Sequence, residues 1–240
     1  MKILALDSSG LVASVAVLED DNCIAEYTIN YKKTHSQTLL PMLDEISNMI
    51  ELDLTTIDAI AVAAGPGSFT GLRIGSATAK GLGQALNKPL IGIPTVDGLA
   101  YNLYATDKLI CPLMDARRNQ TYTGLYEFIK NENKYSLHIV KEQCAVALDE
   151  ILETINNLER EVIFLGDGVP VFQAQIKEKV KVPYGFAPAG FNRQRAAAIG
   201  ALAFEYAAEG NMEEAANHEP EYLRLSQAER ERNEGMKCGN

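Results

Sequence analysis

The sequence predicts an α/β protein of two lobes, each a mixed β-sheet flanked by helices. Three observations predict it. Residues 2–93 read in order as three strands, a helix, a strand, a helix and a strand; a second run from residue 109 opens the same way; and in both runs the first strand ends in aspartate, Asp7 and Asp115. Strands and helices bury their apolar residues with different periods, so one order of periods met twice implies one folding unit met twice.

The first unit begins with KILALD (2–7), VASVAVLE (12–19) and CIAEYTIN (23–30). The turns Asp7-Ser8-Ser9-Gly10 and Glu19-Asp20-Asp21-Asn22 separate them, so an antiparallel meander is expected. A helix follows in SQTLLPMLDEISNMIEL, where Leu39, Met42, Leu43, Ile46, Met49 and Ile50 recur at three- and four-residue steps and Ser36 stands ready as the cap. Pro41 lies near its start, where a missing N–H costs least. A strand over 58–64, a helix over 69–86 and a strand over 89–93 complete the unit.

The second unit repeats the meander in LICPLMD (109–115), QTYTGLYEF (120–128) and a strand over 135–140. A helix over 148–158, a strand over 162–167, a helix over 171–180 and an alanine-rich helix over 193–208 follow. The division is therefore 1–105 for the first lobe, 106–224 for the second, and a charged tail, 225–240, expected to be flexible.

Composition narrows the function classes. With 47% hydrophobic and 22% charged residues the chain reads as soluble, and no apolar run is long enough to span a bilayer. Only four apolar residues separate Lys2 from Asp7, too few for a signal peptide, so a cytoplasmic protein is expected. Cys23, Cys111, Cys144 and Cys238 form no CxxC pair and read as reduced, buried thiols; His35, His138 and His218 are too scattered for a zinc signature. A net charge of −10 repels phosphate backbones, so any RNA would have to be held mainly by a partner.

Two mixed sheets, each with an aspartate closing its first strand, describe the actin-like ATPase (ASKHA) fold. That fold does not by itself fix an activity. A kinase or hydrolase would use Asp7 and Asp115 for Mg²⁺, and the Asp7, Ser8, Ser9, Gly10 turn offers hydroxyls and N–H groups for a residual nucleotide contact. The second turn, Asp115-Ala116-Arg117-Arg118, has no glycine, which argues against hydrolysis by this chain alone.

The stretch AVAAGPGSFTGLRIG (61–75) bends a strand into a helix as a phosphate cradle does, yet Leu72 and Arg73 follow Gly71 where a P-loop places Lys and Ser or Thr. A serine hydrolase elbow fails too, because Phe69 stands where G-x-S-x-G has its last glycine, leaving Ser68 a poor nucleophile. His35, just before a helix start, reads as a capping or packing residue. Small residues continue through the helix at Gly71, Gly75, Ala79, Gly81 and Gly83. Each internal glycine costs about 1 kcal/mol of helix stability, which implies close approach of another backbone, either this chain's own sheet or a partner.

GPGSFTGLRIG, LALDSSGLVASVAVL, HSQTLLP, PLMDARRNQTYTGLYE and a late EPEYLR (219–224) together resemble the TsaB (YeaZ) family of bacterial tRNA threonylcarbamoyladenosine biosynthesis, over nearly the whole chain. The resemblance implies an accessory, noncatalytic subunit that binds and stabilises a TsaD-like catalytic paralogue, helps recruit a TsaE-like ATPase, and meets tRNA only through the complex. The paralogue's HxEGH metal motif aligns with Thr95-Val96-Asp97-Gly98-Leu99, in which neither histidine position holds an imidazole. No catalytic residue, metal or cofactor is expected, and the peptidase label once given to the family has no support here. The partner interface is expected at Leu39, Met42, Leu43, Ile46, Met49, Gly71, Arg73, Gly75 and Ala79, on two helices, with the same face forming a homodimer when the chain is alone.

Overall fold

The structure is a computed structural model and describes residues 1–20, 22–31, 34–132 and 134–224. Two five-stranded sheets repeat one topology. β1 (Lys2–Asp7), β2 (Ala13–Glu19), β3 (Asn22–Ile29), β4 (Ala59–Gly65) and β5 (Leu90–Pro94) form the first, ordered β3-β2-β1-β4-β5. β6 (Leu109–Asp115), β7 (Gln120–Asn131), β8 (Lys134–Ala147), β9 (Val162–Leu165) and β10 (Tyr184–Phe186) form the second, and read from β8 their order is the same. In each, the first strand pairs antiparallel with the second and parallel with the fourth. This is the duplicated, two-lobed actin-like architecture the sequence implied.

The helices are α1 (Leu39–Met49), α2 (Phe69–Leu86), α3 (Thr95–Tyr101), α4 (Leu148–Leu158), α5 (Val169–Lys179) and α6 (Ala196–Ala208). Local chemistry sets the ends of α2: the Ser68 hydroxyl accepts the Gly71 N–H at 3.3 Å, and Asn87, at φ 53°, turns its N–H back onto the Gln84 and Gly83 carbonyls. Leu4, Leu6, Val15, Val17, Ile60 and Val62 bury one face of the first sheet under α1 and α2. The opposite face packs on α6 through Ile199, Leu202 and Ala203. Around α3, Val96, Leu99 and Ala100 meet Ile110, Met114 and Tyr126 of the second sheet, so an apolar core joins the lobes there.

Several expectations need correction. Ser36 does not cap α1; a short 3₁₀ turn, His35–Gln37, intervenes and Thr38 takes the cap position without a side-chain bond. α6 begins at Ala196 because Arg195 is extended, and it packs on the first sheet, so the stretch 106–224 does not all belong to the second lobe's core. β10 escaped the sequence reading because it has only three residues. Cys23 is exposed on the edge strand β3, whereas Cys111 is buried and its thiol is pushed up to about 12 by loss of solvent. The tail 225–240 lies outside the described residues. Among the described residues no helix is long and apolar enough to cross a membrane.

Candidate functional site

A cleft of about 520 Å³ opens between the lobes, lined by Ser9, Gly67, Ser68, Asp115, Asp167 and Tyr222 among others. Its walls are the loops that end β1 and β4 in one lobe and β6 and β9 in the other. Strand ends deliver these residues because the parallel β1–β4 and β6–β9 pairs finish at the same edge of their sheets.

In the first lobe the glycine loop closes on the aspartate turn. The Ser68 N–H donates to the Ser9 carbonyl at 2.6 Å, and the Ser8 hydroxyl donates to the Gly71 carbonyl at 2.9 Å. A Cβ at Gly71 would overlap the Ser8 carbonyl oxygen, and one at Gly75 would lie 2.5 Å from the Ser8 hydroxyl. These glycines therefore serve approach to the chain's own turn, and Gly71 and Gly75 are buried there rather than offered to a partner. The Asp7 carboxylate is fully buried and accepts both the Ser9 N–H at 2.9 Å and its hydroxyl at 2.7 Å. Burial raises it to about 6, partly offset by those two bonds and by His35. Ser8 and Ser9, expected as residual nucleotide contacts with Asp7 and Gly10, thus have intramolecular partners. His35 holds the Gly10 carbonyl through Nε2 at 2.9 Å, the packing role expected of it.

The second lobe's wall is looser. Asp115 accepts the Arg117 N–H at 2.8 Å and pairs with its guanidinium at 3.3 Å, where Arg117 is 87% exposed. Arg117, Arg118 and Asn119 all adopt positive φ, between 56° and 65°. Asp167, passed over in the sequence because its flanking glycines are common, lies in this wall; burial raises its pKa, and its Oδ1 is enclosed without a hydrogen-bond partner.

The α3 positions hold structural roles. Thr95 accepts the Gly65 N–H at 3.1 Å, and Leu99 sits in the interlobe core. Asp97 accepts the Tyr126 hydroxyl at 2.7 Å and the Tyr206 hydroxyl at 3.4 Å; burial lifts its carboxyl to about 6 against those two bonds. Among the described residues no group of three His, Cys, Asp or Glu is arranged to hold a metal ion.

On the outer face of α1 and α2 the expected interface divides. Leu39, Met42, Leu43 and Ile46 are at most 5% exposed and, with Ala79, pack in the first sheet's own core. The helix period aims that stripe at the sheet, and these side chains fill the lobe's own core. Met49 is 77% exposed and Leu40, which the sequence reading omitted, 53%. Arg73 is exposed, lies over the Phe69 ring at 3.9 Å and donates to the Tyr222 hydroxyl at 3.3 Å. Gly81 faces open space in mid-helix.

A family model described as "TsaD: tRNA N6-adenosine threonylcarbamoyltransferase" matches residues 22–232. The tRNA threonylcarbamoyladenosine biosynthesis protein TsaB of Bacillus subtilis (strain 168) is 34% identical over 95% of this chain and 96% of its own length. The Escherichia coli (strain K12) protein of the same name is 33% identical over 70% of this chain and 72% of its own. Among solved structures, YeaZ from Pseudomonas aeruginosa gives a TM-score of 0.76 at 24% identity, covering 92% of this chain and 100% of that one.

Proposed function

The chain belongs to the TsaB family of tRNA threonylcarbamoyladenosine biosynthesis proteins, and from that membership we propose that it is a noncatalytic partner subunit. It binds and stabilises a TsaD-like catalytic paralogue, helps recruit a TsaE-like ATPase, and meets tRNA only through that assembly, in the cytoplasm. The supporting observation is at α3, where Thr95 and Leu99 occupy the positions of the paralogue's two histidines and are bound into the fold instead. A hydroxyl already accepting a backbone N–H and a buried isobutyl group are poor ligands for any divalent ion.

The partner face in this reading is the exposed flank of α1 that carries Met49 and the exposed stripe of α2, reduced from the nine expected residues to Met49 and Arg73 and joined by the small exposed positions Ala77 and Gly81; Leu40, nine residues from Met49, lies on the opposite flank of α1. Alone, the chain pairs with itself through the same face. The kinase alternative through Asp7 and Asp115 is disfavoured by the burial of Asp7 and by the engagement of its turn with the glycine loop. Reconstitution tests the proposal: this chain alone should neither modify tRNA nor turn over ATP, and adding it to the paralogue, the adenylate-forming enzyme and the ATPase should raise modification. Product formed by this chain without the paralogue would refute it, as would Mg²⁺-dependent ATP turnover that falls in Asp7→Ala and Asp115→Ala.

A further inference from the structure

The last described residues, 219–224, cross the mouth of the cleft and touch both walls. On the first lobe, the Glu221 N–H donates to the Ala64 carbonyl at 2.7 Å, at the end of β4. Gly65, at φ 125° and with no Cβ, lets the Glu221 carbonyl lie against the start of the glycine loop. The Tyr222 ring sits 4.9 Å from the Phe69 ring at the first turn of α2, with Arg73 over Phe69 and bonded to the Tyr222 hydroxyl. On the second lobe, Arg224 donates to the Ala116 carbonyl at 2.6 Å, where the exposed turn begins, and Gln143 donates to the Glu221 carboxylate at 2.9 Å.

From these contacts we propose that 219–224 is an interlobe strap that sets the width of the cleft and couples its two walls. The apolar core around α3 joins the lobes beside the cleft, and Glu221 to Arg224 join them along the cleft lining itself. Glu221 and Tyr222 are exposed while Arg224 is half-buried, and each contact is individually weak, so the strap releases more readily than the fold opens. Glu221 bonds both lobes at once, its N–H to the Ala64 carbonyl and its carboxylate to the Gln143 amide, and Arg224 holds the second lobe three residues on, so loosening the chain on one lobe also loosens its hold on the other. Arg73 and Phe69 sit on α2, so release also alters the part of that helix nearest its exposed face.

Hydrogen exchange read by mass spectrometry on the full chain tests the coupling. Arg224→Ala removes a contact on the second lobe and should raise exchange at 65–71, in the first lobe, by about tenfold, together with 115–120. Phe69→Ala removes the first-lobe contact and should raise exchange at 115–120 comparably. Exchange that rises only in the lobe carrying the substitution overturns the proposal. Should Phe69→Ala loosen the amides of β1, showing a damaged fold, Tyr222→Ser supplies the same cross-lobe comparison.

Discussion

The two aspartate turns occupy equivalent places in the repeat and have had opposite fates. Asp7 is buried and its turn is roofed by the glycine loop; Asp115 keeps an exposed arginine partner and is followed by three residues in the left-handed region. One topology thus yields a dry, tightly packed wall and an open one. Both lobes close a glycine loop on their first strand, for a Cβ at Gly166 would overlap the Leu113 carbonyl as one at Gly71 would overlap that of Ser8; the difference lies in the turns themselves, where Ser8 and Ser9 bond back to Gly71 and Asp7, and Ala116 to Asn119 offers neither a hydroxyl nor a glycine.

The strongest way to break this comparison is to fill the first wall. Gly71→Leu drives a side chain into the Ser8 backbone, and Met42→Glu places a charge in the core beside it. Each should destabilise the chain by about 3 kcal/mol or more, read by urea unfolding, while Arg117→Ala in the open wall stays within about 0.5 kcal/mol. A stable Gly71→Leu protein would mean that the loop does not rest on the turn.

A smaller effect reads the burial of Asp7 through pH. Asp7 is raised to about 6 from an ordinary 3.8, so the native state holds its proton more tightly than the unfolded chain. Its contribution is complete below about pH 4 and is lost as pH rises through about 6, a change on the order of 1–3 kcal/mol. Asp7→Asn should flatten the stability profile over that window, and a profile unchanged by that substitution would contradict the burial of Asp7. Asp97 behaves like Asp7, with the same direction and the same window.

Much of this was legible in the sequence. The repeat, the span of α2 and the two aspartate turns follow from apolar periods and turn residues, which are local signals. Where α1's apolar stripe points was not legible, because a period shows that a face is buried and not what buries it. Spacing alone favours core burial for Met42, and only the family resemblance turns the expectation toward a partner. The glycines posed the same ambiguity: close approach was readable, the identity of the neighbour was not. Tyr222 and Arg224 carry no periodic signal, and their reach across the cleft depends on contacts 149 and 108 residues away in the chain.

Gly81 sharpens the contrast along α2 itself. Unlike Gly71 and Gly75 it meets nothing, so Gly81→Ala should stabilise the isolated chain by about 0.5–1 kcal/mol, read as a raised Tm, whereas Gly75→Ala should lower it. The smallest effect is expected in the open turn. There Arg118→Gly relieves a positive φ of 56° and should gain a few tenths of a kcal/mol in the same melt.

The central claim is that this chain works by adhesion through the outward face of α1 and α2. Size-exclusion chromatography with light scattering, run on the chain with its TsaD-like paralogue, tests it directly. A heterodimer is predicted for the natural sequence and separate species for Met49→Glu combined with Ala77→Glu, with circular dichroism of the variant unchanged. Co-elution of that folded double variant at full stoichiometry would contradict it.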